Sequence, residues 1–294
     1  MSPGTEPSII AKKYTFVNVF VPISRKKHPF LYLFAVEFHR IQRAFLWHFG
    51  RERLATRRKK EKLPVVIARH ESLLLRKLGT VDMRLQHNKV VNLTLASKRM
   101  TGVLIAPGET LSLWRLVGRA SRFKGYLSGM LLSQGEVIEG VGGGLCQLAN
   151  LMHWLALHSP LVVSERYHHS FDAFPDSGRT LPFGSGATIF YNYIDLKLYN
   201  PTDRVIQFCV WTDEDHLRGE LRTTEPLPYS YKVIEKNHRF TYVAHEKKYY
   251  RENALYQQKI DRRTGKKVGE RLLYKNHSEV KYIPNPDIHV ERLP

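Results

Sequence analysis

The chain has 294 residues, two cysteines and a formal net charge of +19 from 46 Lys and Arg against 27 Asp and Glu. That length builds a sizeable core, two cysteines build no disulfide framework, and the lack of an 18-residue apolar run argues against a spanning helix. The charge is uneven: residues 1–80 carry a net +12, residues 81–225 none and residues 226–294 a net +7, a placement on the flanks that argues against nucleic acid as the partner.

Three segments follow from this division: a basic, helical N-terminal extension (1–80), a neutral core (81–225) and a basic, β-rich module (226–294). Residues 1–27 read as a loose arm and lack the basic, apolar, small-residue order of a secretory signal. Two cysteines read most simply as thiols in a reduced compartment, so the expected location is the cytoplasm, peripherally at the inner membrane face. From Pro29 to Phe49 apolar residues recur at spacings of three or four: Leu31, Phe34, Ala35, Phe38, Ile41, Phe45 and Leu46. That is one face of a helix. Arg51, Arg53, Arg57, Arg58, Lys59 and Lys60 follow at once. Two fates are open to such a helix: contact with an anionic membrane through residues 28–62, or packing on the protein's own core.

A second helix is predicted over Val81–Met100, then strands at Val103–Ala106 and Thr110–Trp114 around the turn Pro107-Gly108. Leu145 to His158 reads as a helix stopped by Pro160, with Leu145, Leu148, Met152 and Leu155 on one stripe. Strands are expected at Leu161–Glu165, Ala187–Tyr191, Asp195–Tyr199 and Val205–Thr212, with Asp213-Glu214-Asp215 as a solvated turn. Residues 230–283 alternate polar and apolar around a turn at 261–265. The fold class is therefore α+β: a mixed β-sheet core, a helical N-terminal region and a β-rich C-terminal part.

The chemistry concentrates at Gly140-Val-Gly-Gly-Gly-Leu-Cys-Gln147, where a glycine-rich loop becomes a helix. The first N–H groups of a helix lack partners and its dipole favours negative charge, so Cys146 is expected to tend toward thiolate. A nucleophilic Cys146 needs oxyanion donors and a base. Gly143 and Gly144, or the amides just after them, supply candidate donors, and Gln147 a side-chain donor. His153 lies two turns along the helix, about 10 Å away, too far for a base. His168 and His169 sit on a segment returning from the helix and are better placed. Asp172, Asp176 and Asp195 are candidates to orient a histidine. The competing reading makes Cys146 a packing residue and the histidines ordinary surface groups. No cofactor is expected, and no metal: Cys146, His153, His158, His168 and His169 match none of the tight zinc spacings.

The ordered motifs Asn92-Leu-Thr-Leu-Ala-Ser97, Gly102-Val-Leu-Ile-Ala-Pro-Gly-Glu-Thr110, Ser112, Gly118, Gly125-Tyr126, Gly135, Gly142-Gly-Gly-Leu-Cys-Gln147, Glu165-Arg166, His169, Ala187-Thr-Ile189, Asp195-Leu-Lys197 and Asn200 span about 110 residues. This pattern resembles the VanW family, and the compact length resembles its stand-alone members. The resemblance implies a link to peptidoglycan precursors or glycopeptide resistance, and an L,D-transpeptidase-type acyl transfer. In that reading Cys146 is the nucleophile acting on a peptide stem, His169 the base, Gly143, Gly144 and Gln147 the oxyanion side, and Arg166 a fork for a substrate carboxylate. Gly186 stands where the family often has aspartate, so Asp195 or Asp172 would orient His169. The alternative is a non-catalytic accessory protein that binds a peptide stem or a membrane partner.

Overall fold

The computed structural model describes residues 28–75, 82–133, 136–167, 171–172, 181–191 and 194–293. Helix α1 (Pro29–Phe49) opens with proline at its first turn, which needs no N–H there, and ends where the Gly50 N–H donates to the Leu46 carbonyl at 2.9 Å. Strand β1 (Val65–Leu73) leads to α2 (Met83–Met100), which Asp82 caps by accepting from the Arg84 N–H at 2.8 Å. Short strands β2 (Val103–Ile105) and β3 (Thr110–Ser112) precede a one-turn helix α3 (Leu113–Val117). The hairpin of β4 (Ser128–Ser133) and β5 (Glu136–Val141) delivers the chain to α4 (Cys146–Leu157). Then come β6 (Val162–Glu165), β7 (Phe171–Asp172), β8 (Lys197–Tyr199), β9 (Ile206–Thr212) and β10 (His216–Thr223). The chain closes with β11 (Tyr229–Val243), β12 (Lys248–Asp261), β13 (Lys267–Val280) and β14 (Val290–Leu293). This is the α+β class expected.

The central sheet has the order β1-β10-β9-β2 with antiparallel pairing, and α4 packs across β1 and β10 while α2 packs on β9. Leu148, Leu151, Met152 and Leu155 of α4 are at most 1% exposed. A helix apolar on nearly all sides is stable only when surrounded, and here it is the centre of the core. A small sheet β3-β8-β6 lies alongside. The C-terminal strands form a separate sheet, β14-β11-β12-β13-β7, which abuts the end of α4. There the Gln257 amide donates to the Leu157 and Ser159 carbonyls at 2.7 and 3.2 Å, satisfying acceptors that a helix end leaves open.

Two predicted strands differ. Thr110–Trp114 breaks after Ser112, because the Ser112 hydroxyl accepts from the Arg115 N–H at 3.1 Å and starts α3. Ala187–Tyr191 holds only isolated bridges, Thr188 to Tyr167 and Phe190 to Ile194. Its backbone is held in part by a side chain instead, the Ala187 N–H donating to Asn150 Oδ1 at 2.7 Å. Among the described residues, the apolar stripe of α1 does not pack on the core either. The helix docks through its other flank, where Val36 is buried, Trp47 packs on the core and the Arg43 guanidinium meets both Glu165 oxygens at 2.6 Å.

Candidate functional site: the Cys146 cleft

Cys146 opens α4 and lines a cleft of about 210 Å³. Apolar groups of Trp114, Leu131, Val141, Ile189 and Tyr191 form much of its wall, and two guanidinium groups, Arg40 and Arg119, also line it. The glycine run shapes the approach to the cysteine, and two of its positions demand glycine. Gly144 has φ +92°, a left-handed conformation, and a Cβ there would meet the Lys89 side chain at 2.1 Å. At Gly143 a Cβ would meet the backbone of Gly129 at 2.1 Å. The glycines thus let the loop press against its own chain. Asn92 of α2 locks that contact: its side-chain amide donates to the carbonyls of Leu127 and Gly143 at 3.0 and 2.9 Å and accepts from the Leu127 N–H at 2.8 Å.

The backbone donors around the cysteine divide. The Gly143 N–H is already committed to the Gly140 carbonyl at 3.0 Å. Among the described residues, the N–H groups of Gly144 and Leu145 have no acceptor, the Cys146 N–H lies against its own sulfur, and Leu145 and Cys146 line the cleft. A negative charge developing next to the sulfur would meet donors there. The thiol itself differs from the sequence expectation. Burial pushes its pKa up, and the N–H groups of Ile189 and Cys146 only partly oppose that. The resting form at neutral pH is therefore the neutral thiol. The short dipole gain at a helix start loses to desolvation.

The wall opposite the cysteine is the loop 184–189, and three side chains hold it. Arg166 donates from Nε to the Gly186 carbonyl at 2.9 Å and from Nη2 to the Gly184 carbonyl, while its guanidinium stacks on Tyr274 at 4.1 Å. His153 is fully buried; its Nδ1–H donates to the Ser185 carbonyl at 2.7 Å and its Nε2 accepts from the Tyr274 hydroxyl at 3.0 Å. Burial, with the nearby Arg166 charge, lowers its pKa to about 3, so it is a neutral strut. Asn150 takes the Ala187 N–H. One residue past Thr188, which bonds the Tyr167 carbonyl at 2.7 Å, the Ile189 N–H reaches the sulfur.

A cysteine at a helix start, a glycine run clamped by Asn92 and a facing Ala-Thr-Ile loop are the spatial form of the motifs from Asn92 to Asn200. The family described as VanW like protein matches residues 88–222. The chain is 34% identical over 225 residues to the vancomycin B-type resistance protein VanW of Enterococcus faecalis, covering 76% of this chain and 81% of that protein. The chain belongs to the VanW family. It is also 30% identical over 118 residues to the uncharacterised protein YoaR of Bacillus subtilis, covering 39% of this chain and 36% of that protein. No solved structure matches it.

Within this VanW-family chain, Cys146 is the one predicted site residue that lines the cleft among the described residues. His169, with His168 and Asp176, lies outside the described residues. Gln147 turns away to β1, donating to the Ser72 hydroxyl at 2.9 Å and the Leu73 carbonyl at 2.8 Å. The Arg166 fork is spent on the loop carbonyls. Asp195 is fully buried and accepts from Ser112 Oγ, Trp114 N and Leu196 N at 2.5, 3.1 and 2.8 Å. Burial, and the Glu165 charge behind it, raise its pKa to about 6. Asp172 forms a buried ion pair with Arg251 at 3.0 Å and accepts from the Tyr282 hydroxyl at 2.9 Å. Sequence reasoning missed Arg40 and Arg119. Arg40 occupies the docked flank of α1, where Nε donates to the Tyr191 carbonyl at 3.2 Å. Arg119 sits 3.6 Å from Glu37. The signal for Arg40 was its place opposite the apolar stripe; Arg119 had none.

Proposed function

We propose that this VanW-family protein is a cysteine-dependent acyl transferase acting on the peptide stem of a peptidoglycan precursor, in a setting of glycopeptide resistance. The observation that carries this reading is Cys146 lining a cleft beside backbone N–H groups that have no acceptor among the described residues. In the reaction the Cys146 proton passes to a base and the sulfur attacks a stem carbonyl. The tetrahedral oxyanion is held by the Leu145 and Cys146 N–H groups. The C–N bond then breaks, the amine leaves with the proton, and a second amine displaces the thioester. A thiol held neutral by burial needs a base at the moment of attack, which suits the family's histidine at His169. The chain before it is bonded at Tyr167 to Thr188, next to the residue that touches the sulfur. Arg119 and Arg40 are the guanidinium groups suited to a stem carboxylate, since the Arg166 fork is already occupied.

The non-catalytic alternative draws on a specific observation too: Cys146 packs on the core and burial disfavours its ionisation. Incubation with synthetic tetrapeptide and pentapeptide stems, followed by intact-mass spectrometry, separates the two. The transferase reading expects a stem adduct on wild type that is absent from Cys146→Ser. Peptide binding by both proteins with an adduct on neither establishes the accessory reading.

A further inference from the structure

We infer that α1 is an interfacial helix whose outward apolar stripe lies in the surface of an anionic lipid bilayer. Phe30, Phe34, Phe38, Ile41, Phe45 and Phe49 follow at steps of three or four residues, which puts them on one face. They are 85, 76, 58, 68, 60 and 74% exposed, respectively. Contiguous apolar patches of more than a few hundred Å² rarely face water on a protein that works alone. The orientation is fixed rather than incidental. The opposite flank is anchored by the Arg43–Glu165 pair, the Arg40 bond to the Tyr191 carbonyl, buried Val36 and Trp47 against the core. Polar anchors hold the helix to the protein and leave its apolar side outward, the reverse of a helix folded onto its own core.

Charge selects the occupant. Residues 28–62 contain nine Lys and Arg against three Glu. Arg51, Arg53, Arg57, Arg58, Lys59 and Lys60 beyond the C-terminal end of α1 are all exposed, and Arg25, Lys26 and Lys27 precede its N-terminal end in the sequence. Basic groups at both ends of an apolar stripe meet the phosphates of one leaflet while the stripe enters its acyl region. At about 1.5 Å per residue the 21-residue helix is about 31 Å long, and no helix among the described residues is apolar enough to cross a bilayer. It therefore lies flat. Because α1 also supplies Arg40 to the Cys146 cleft, docking sets the cleft beside the lipid surface.

The test is co-flotation of the full chain with vesicles of phosphatidylcholine and phosphatidylglycerol, 1:1, against phosphatidylcholine alone. Binding is expected to the anionic vesicles and to fall at least about tenfold on the neutral ones, where the polybasic attraction is absent. The triple variant Phe34→Asn, Phe38→Asn, Ile41→Asn is expected to keep its Tm, because these side chains are exposed, and to lose at least about tenfold in binding. Replacing the same three residues by leucine should restore it. The inference fails if the full chain binds neither vesicle or if the asparagine variant binds like wild type. It fails equally if deleting residues 1–27 is needed to reveal binding, which would assign the stripe to that segment. Sedimentation showing a dimer that the asparagine variant abolishes, without vesicle binding, would assign it to a second copy. Cys146→Ala should float like wild type, so this outcome is independent of the chemistry at the cysteine.

Discussion

Asn92 is the residue whose removal should most clearly separate a positioned Cys146 loop from an incidental one. Its side chain is fully buried and makes three hydrogen bonds, two to the Leu127 backbone and one to the Gly143 carbonyl. Asn92→Ala deletes all three and leaves those backbone groups without their partner. At about 1 kcal/mol per bond, with an added desolvation penalty for the orphaned groups, the expected loss is about 3–5 kcal/mol. For a chain of this size that is a fall in Tm of roughly 6–15 °C. Asn88→Ala is the control one turn earlier, since Asn88 makes a single part-buried bond to the Ser128 carbonyl at 2.7 Å; its expected loss is about 1 kcal/mol. Urea unfolding followed by circular dichroism reads both numbers. Under native conditions the freed Gly143 turn should also open the cleft floor, so iodoacetamide should label Cys146 several-fold faster in Asn92→Ala than in wild type. An Asn92→Ala protein within about 1 kcal/mol of wild type, labelling at the wild-type rate, would refute the claim that Asn92 holds the cysteine loop.

Cys146 should label faster than Cys209, which is 2% exposed in the central sheet, and its labelling rate should keep rising above the usual thiol range, because burial raises its pKa; mass spectrometry of alkylated peptides across pH reads this. His153 has its folded pKa lowered to about 3 by burial, so the unfolded chain takes up the proton first and stability is lost as pH falls from about 6.5 toward 3. His153→Gln, which can keep both hydrogen bonds, should flatten that acid limb in urea titrations. Asp195 has the opposite sign: its folded pKa is raised to about 6 by burial, so its contribution is lost as pH rises from about 4 to 6. Relative to wild type, Asp195→Asn should gain up to about 3 kcal/mol across that window. Arg166→Met should lower Tm by freeing the Gly184 and Gly186 carbonyls, whereas Arg119→Met, 57% exposed, should leave Tm unchanged and weaken stem-peptide binding in calorimetry.

Long periodic elements were legible because their pattern is local. The stripe of α4 and the alternation of 230–283 are repeated signals, and the structure keeps both as a helix and as the long strands β11, β12 and β13. The elements added by the structure depend on distant partners. β10 carries Arg218, Glu220 and Arg222 between buried Leu217, Leu221 and Thr223, so its apolar positions are few. It becomes a strand by pairing with both β1 and β9. Thr110–Trp114 failed in the other direction: its alternation is real, but a buried aspartate 81 residues away takes the Trp114 N–H and stops the strand.

At the site, residue types were legible while their assignments were not. A spacing can say that Gly143 and Gly144 must be glycine, but the reason lies in Gly129 and Lys89 pressing on them from other elements. A guanidinium near a cysteine motif reads as a carboxylate fork, yet Arg166 faces two loop carbonyls that no local pattern announces. The same fold brings Arg40 to the cleft from more than 100 residues away through a helix whose sequence speaks of an apolar face. The helix start at Cys146 shows the physical limit of motif reading most directly. The dipole and free N–H groups are properties of the local chain and favour a thiolate, while desolvation is set by Trp114, Ile189 and Tyr191, which arrive from elsewhere. The local effect is worth on the order of 1 kcal/mol and burial of a charge costs more, so tertiary packing decides the protonation state. A thiol kept neutral by burial is protected from idle oxidation and alkylation, and under the acyl-transferase proposal that protection lasts until a base acts on it.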